Sequence, residues 1–265
     1  MTKDHLWLHL RELPYFRALL RSVEARLIEA IDLPRPVLDV GSGDGHFASL
    51  AFDWPLDVGV DASLKPLRQA WTRRGYRSLV LADGGKLPFS DQSFGSAVSN
   101  SVLEHIPHYE SVLAEIARVL RPGAPFVFTV PNPRFRTDLA ISGLLRRIGM
   151  RSLAGAYEVW FMWATRTKHL FDVPTWTQTL ARAGFRTEEA TPYFSPGALR
   201  VLEWGHYLGV PCVLVRGLTG RWILAPTRWN LWLTERLLHR YHHEAPGPDG
   251  TYTFFLARHD EQQPR

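Results

Sequence analysis

Residues 37–47 read VLDVGSGDGHF. Apolar β-formers from Val37 run directly into Gly41-Ser42-Gly43-Asp44-Gly45. A buried strand that passes through a glycine-rich turn into a helix is how α/β folds bring backbone close to a nucleotide-like ligand. Glycine at the turn accepts positive φ and leaves no Cβ in the ligand's way. Asp39 and Asp44 bracket the turn. Carboxylates placed there repel a pyrophosphate and suit a ligand with a cationic end and hydroxyls.

Outward from this turn, strands and helices alternate. Upstream, residues 14–31 predict an amphipathic helix with Pro14 in its first turn. Phe16, Leu19, Leu20, Val23, Leu27 and Ile31 form its apolar stripe, and Arg17, Arg21, Glu24 and Glu29 are expected to face away. Leu33-Pro34-Arg35-Pro36 stops it. Downstream, strands are expected at 56–60, 78–81, 94–99 and 126–130, with helices at 45–52, 64–74 and 111–120 between them. Strict alternation argues for a parallel sheet with helices on both faces. Ligands of such sheets sit at the carboxyl ends of the strands, and Gly41, Asp61, Asp83 and Asn100 fall there.

The regularity lapses after Val130. Residues 132–170, rich in Arg and Trp, read as a mixed helical insertion. Residues 174–183 predict a helix capped by Asp172 and stopped by Gly184. A strand is expected at 185–191, a second insertion at 196–243, a last strand at 250–257 and a polar tail at 261–265. The expected organisation is an N-terminal helical cap, 1–34, on a single domain, 35–265.

Composition adds bounds. The 265 residues are 45% hydrophobic and 22% charged, as in an ordinary globular chain. The net charge of +5 is compatible with anionic lipid, with nucleic acid, or with a codon bias toward Arg. Cys212 is the single cysteine, so no internal disulfide forms and a reducing compartment fits. The N-terminus lacks the apolar core of a signal peptide, and no apolar run reaches about 18 residues. The expectation is a cytoplasmic protein.

Four stretches now stand together: VLDVGSGDG (37–45), VGVDAS (58–63), ADGGKLPFSDQSFG (82–95), and SNSVLEHI (99–106) with VLRPGAPFVFTVP (119–131). In order and spacing the chain resembles the class I S-adenosylmethionine-dependent methyltransferases, in their small-molecule, methyltransferase type 11-like branch. The resemblance covers about 35–131 well and 168–191 moderately. It implies a Rossmann-like α/β fold: a seven-stranded, mostly parallel sheet with helices on both faces and an antiparallel last strand. It implies S-adenosyl-L-methionine as cofactor. On matching positions, Asp39, Gly41, Ser42 and Gly43 would hold its amino-acid end. Asp61 and Ala62 would meet the ribose, Asp83 and Gly84 the adenine, and Asn100 would line the site from the fourth strand. A nicotinamide fold is the main rival, but its G-x-G-x-x-G fingerprint needs glycine where His46 stands.

Methyl transfer needs an aligned acceptor, and a hydroxyl acceptor also needs a base. His105, in Leu-Glu-His, and His169, before Phe171-Asp172-Val173-Pro174, are the candidate catalytic residues. Tyr15 sits on the N-terminal helix, which in relatives tends to cover the acceptor pocket, but core packing is the expected role of its ring. His105 and His108, and His239 and His242, are three apart, but no third ligand is legible and no metal is expected. Residues 196–243 hold Trp204, Trp222, Trp229 and Trp232 among six arginines. That pattern suits a lid over the acceptor, an interfacial contact with the inner face of a membrane, or a homodimer face. The expected function is methyl transfer to a small, apolar or lipid-linked acceptor, at oxygen. The alternatives are a non-catalytic binder of the cofactor or its product, and N- or C-methylation of another small molecule. Ser99-Asn100-Ser101-Val102 replaces the Asn-Pro-Pro-Tyr motif of base methylation, so nucleic acid is not an expected partner.

Overall fold

A computed structural model describes residues 3–260; the predicted tail at 261–265 lies outside the described residues. The strands are β1 (Val37–Val40), β2 (Leu56–Asp61), β3 (Tyr76–Leu81), β4 (Ser96–Asn100), β5 (Pro125–Pro131), β6 (Phe185–Tyr193) and β7 (Tyr252–His259). They form one sheet in the order β3-β2-β1-β4-β5-β7-β6. The first five are parallel, and β7 runs antiparallel to both β5 and β6. Every residue of β1, β4 and β5 is buried, which is why they read as near-continuous apolar runs. Strand order reverses between β1 and β4, which opens a crevice at their carboxyl ends.

The helices are α1 (His5–Leu10), α2 (Tyr15–Glu29), α3 (His46–Ala51), α4 (Leu64–Arg73), α5 (Tyr109–Val119), α6 (Arg134–Thr137), α7 (Ala140–Arg147), α8 (Arg151–Ala164), α9 (Val173–Arg182), α10 (Pro196–Leu208), α11 (Val210–Thr219) and α12 (Arg228–His242). A 3₁₀ turn spans Leu103–His105. Two apolar cores flank the sheet. One joins α1, α2, α10 and α12 to the β1 side through Leu19, Val23, Leu202, Leu238 and Val37. The other packs α5 and α9 on Phe126 and Phe128 around Trp176. Each large side chain buried this fully contributes about 2 kcal/mol.

The strand ends differ from expectation by a residue or two. β4 starts at Ser96 because Phe94 makes only an isolated bridge to Leu120. β7 extends to His259 because β6 pairs with it along its length. The insertion at 132–170 folds as α6, α7 and α8, and that at 196–243 as α10, α11 and α12. The expectation that Glu24 faces away is overturned. Glu24 is fully buried, because α2 lies across the carboxyl ends of β4 and β5 and is enclosed by the rest of the chain.

Candidate active site

A cleft of about 750 Å³ opens at the crevice. Gly41, Asp61, Ala62, Asp83 and Gly84 line it, with Val102, Ile106 and His105 from the segment after β4. Gly41 has φ +87°, and a Cβ there would lie 2.4 Å from a methyl of Val102. The turn therefore needs glycine both for conformation and for space. Asp61 fastens the loop. One carboxylate oxygen accepts from the Gly43 N–H at 3.0 Å and the other from the Ser63 N–H at 2.8 Å. A carboxylate has about four lone-pair sites, so both oxygens keep capacity for hydroxyls in the cleft.

Asp39 lies behind the loop, buried, and accepts from the Tyr76 hydroxyl at 2.5 Å. Burial pushes its carboxyl up to about 7, against the lowering effect of Tyr76. Ser42 is buried too, and its hydroxyl has no partner among the described residues. A buried polar atom left open at a ligand loop is a place for a ligand atom. Tyr76 had no signal in the sequence. It reaches Asp39 because β3 pairs with β2, where Gly59 leaves room for its ring.

A second, smaller chamber of about 160 Å³ adjoins the cleft. Phe16, Leu20, Phe135 and Leu202 give it apolar walls, and Arg17, Arg21, Glu104 and His105 give it charge and proton chemistry. His105 lines both cavities. Its Nδ1 lies 3.0 Å from the Arg166 carbonyl, an acceptor, so the ring donates from Nδ1 and presents a lone pair at Nε2 when neutral. Loss of surrounding water, reinforced by Arg21, Arg166 and Lys168, holds the imidazole below its usual range. Glu104 is buried, one of its oxygens has no partner among the described residues, and burial raises its carboxyl to about 8.

Beneath the chamber lies a polar network centred on Glu24. It accepts from Arg21 at 2.8 Å, Asn100 Nδ2 at 2.9 Å, the Ser101 hydroxyl at 2.7 Å and the Tyr193 hydroxyl at 3.2 Å. Thr129 donates at 2.8 Å to Asn100 Oδ1. Asn100 was expected to line the cofactor site; its amide is engaged by this network instead, under the second chamber. His169 borders neither cavity. Its Nε2 bonds the Ile106 carbonyl at 3.0 Å, and its ring packs on Tyr109 and Phe171. The position of Glu24, four residues after Leu20 and seven before Ile31, is the sequence signal that could have placed it on the buried face.

Residues 38–128 match the family model described as a methyltransferase domain. A malonyl-[acyl-carrier protein] O-methyltransferase of Xylella fastidiosa is 32% identical over 123 residues, 42% of this chain and 41% of that protein. A fatty-acid O-methyltransferase of Mycolicibacterium smegmatis is 36% identical over 105 residues, 37% of this chain and 38% of that protein. The chain thus spans about two fifths of the length of these curated relatives. A Thermotoga maritima methyltransferase, described as a possible histamine N-methyltransferase, shares the fold with a TM-score of 0.56 at 14% identity, over 94% of this chain and 91% of that one. Residues 38–128 thus match a methyltransferase domain, and the described chain has the fold of S-adenosylmethionine-dependent methyltransferases.

The residues present fit that cofactor. The cleft has the volume for it, with Asp61 and Asp83 on its walls after β2 and β3, and the buried Asp39 and the open Ser42 hydroxyl behind the turn. Asp39 would attract the ammonium end of the cofactor only when ionised. Burial keeps a proton on it below about pH 7, so affinity is expected to fall as pH falls. Calorimetry with S-adenosylhomocysteine is expected to show about tenfold weaker binding per pH unit below 7 and a plateau above it. Asp39→Asn is expected to bind weakly and without that dependence.

Proposed function

We propose that the enzyme transfers a methyl group from S-adenosylmethionine to a carboxylate oxygen of an acceptor with an apolar chain. The observation that carries this reading is the second chamber: apolar walls, two arginines, and His105 shared with the cofactor cleft. S-adenosylmethionine supplies an electrophilic methyl group on a sulfonium. The chain's own residues supply position and charge. Arg17, which lies over Trp222 and is attracted at longer range by Asp44, stands at the chamber as a counter-ion for an acceptor carboxylate. Arg21 adds its field but is already paired with Glu24. A carboxylate is a nucleophile without losing a proton, so His105 serves to orient the acceptor rather than to ionise it. A hydroxyl acceptor is the second reading, favoured by the Nε2 lone pair of His105, which lies 3.8 Å from Glu104 Oε1 and then takes the proton. The names of the Xylella and Mycolicibacterium relatives, both O-methyltransferases, support oxygen as the accepting atom.

Labelled cofactor incubated with a panel of fatty acids and fatty alcohols tests the reading. A carboxylate acceptor yields a methyl ester, which releases labelled methanol in base. Label that survives base treatment counts against it. Arg17→Gln is expected to raise KM for the acceptor about tenfold, the cost of one charge-assisted contact, with kcat little changed.

A further inference from the structure

The outer surface of the second insertion is left unaccounted for by either cavity. No residue of α11 is buried. Val210, Val213, Leu214 and Leu218 form a stripe along it, and Leu218 is 88% exposed. On α12, Trp229, Trp232, Leu233 and Leu237 form a second exposed stripe, opposite the buried Leu231 and Leu238. Between α10 and α12 runs an open apolar groove of about 470 Å³, lined by Val201, Trp204, Leu208, Leu237 and Leu238, with Arg200 and Arg240 also on its walls. The apolar surface continues onto α8, where Trp160 stacks on Tyr207, and Tyr207 in turn meets Trp204. Soluble monomers rarely expose apolar surface on this scale without a partner for it.

Charge identifies the partner. Residues 196–243 hold six arginines and two glutamates, a net +4 of the chain's +5. Glu203 is buried and accepts from the Ala140 and Ile141 N–H groups, and Glu235 pairs with Arg228. Arg200, Arg216, Arg221, Arg236 and Arg240 have no carboxylate partner among the described residues. Three of these guanidinium groups lie over aromatic rings: Arg216 on Trp222 at 4.3 Å, Arg236 on Trp232 at 5.5 Å and Arg240 on Tyr241 at 4.4 Å. Arginine beside tryptophan, with aliphatic side chains projecting beyond them, is the arrangement of helices that lie in a lipid headgroup layer.

We propose that the outer faces of α10, α11 and α12 dock the protein on an anionic lipid bilayer. No helix among the described residues is long and apolar enough to cross a membrane, so the contact is interfacial. A nucleic acid would use the arginines but leave the leucines and valines in water. A second copy related by a two-fold axis would set the arginine-rich face against its like. A bilayer of anionic headgroups over acyl chains satisfies both classes of side chain. The docking places the chemistry close to lipid. Leu202 and His206 of α10 line the acceptor chamber, while Trp204 and Leu208 of the same helix look outward. The proposal does not depend on the acceptor reading, because binding is read without cofactor or methyl transfer.

Flotation of the full chain with phosphatidylcholine vesicles, with and without phosphatidylglycerol, is the test. The protein is expected to float with the anionic vesicles, with a blue shift of tryptophan emission, and to stay behind with neutral ones. Leu214→Ser with Leu218→Ser changes two exposed side chains outside the apolar cores, so the far-ultraviolet circular dichroism and melting are expected to be unchanged. The pair is expected to lose at least tenfold in partitioning. Arg216→Gln with Arg236→Gln is expected to lose about fivefold per arginine and most of the salt dependence. A wild-type protein that stays behind with anionic vesicles overturns the proposal, as does a leucine variant that floats as well as wild type. A dimer that the leucine pair dissolves, with no flotation of either protein, assigns the face to a second copy instead.

Discussion

Glu24→Ala is expected to lower the unfolding free energy by about 3–5 kcal/mol, the usual result of removing one partner of a buried ion pair. Melting temperature, followed by circular dichroism, is expected to fall by about 10 °C. Glu24 is fully buried and accepts from Arg21, Asn100, Ser101 and Tyr193. Its removal strands those donors, and the Arg21 guanidinium above all. Glu24→Gln keeps an acceptor but loses the charge, so its loss is expected to be smaller. The two variants have a second readout. Arg21 also faces Glu104, whose carboxyl it draws downward and Glu24 pushes upward. One guanidinium thus serves two buried carboxyl groups, and the second keeps its proton. Without Glu24, Arg21 turns to Glu104 and offsets part of the loss. The double variant Glu24→Gln/Glu104→Gln is therefore expected to be less stable than the sum of the single changes predicts.

The donor side of the site was legible because it is local. The strand, turn and acidic strand end at 37–45, 58–63 and 82–85 each carry their own signal within a few residues, and the cleft is lined by Gly41, Asp61 and Asp83. The acceptor side was not, because its contacts are distant in sequence. Glu24 meets Asn100, Thr129 and Tyr193 at separations of 76, 105 and 169 residues. The helical spacing sets Glu24 beside Leu20 and Ile31, but it does not say which later strands will supply its partners. The same holds for Asn100. Its place at a strand end suggested the cofactor, and only the lie of α2 across the sheet turns its amide to Glu24. His169 illustrates a further limit: its place before a capped helix was visible, but the aromatic cluster of Tyr109 and Phe171 that absorbs its ring was not.

Stability is expected to peak near pH 6.5 and to fall on both sides, measured as denaturant midpoints across the pH range. Two sets of buried groups act in opposite directions. His9, His46 and His242 are buried, and loss of water lowers their imidazoles to about 3, 2 and 3. The folded state excludes protons that the unfolded chain binds from about pH 6.5 downward. Each histidine therefore costs about 1.4 kcal/mol per pH unit as pH falls below 6.5. Asp39 and Glu104 have the reverse sign. Burial raises them to about 7 and 8, so the folded state keeps protons that the unfolded chain has released. Each loses about 1.4 kcal/mol per unit as pH rises, from its unfolded value up to its folded value. Below pH 6.5 the three histidines outweigh the two carboxyl groups, and stability declines with acid. Above pH 6.5 the histidine contribution is level, and the carboxyl groups alone set the decline until about pH 8. Glu104→Gln removes the longer of those two declines. The variant is expected to hold its stability from pH 7 to 9, where wild type loses about 1.4 kcal/mol, and to fall more steeply than wild type in acid. A Glu104→Gln profile that parallels wild type above pH 7 would show that Glu104 is already ionised in the folded protein, with its charge shared by Arg21 rather than neutralised by a proton.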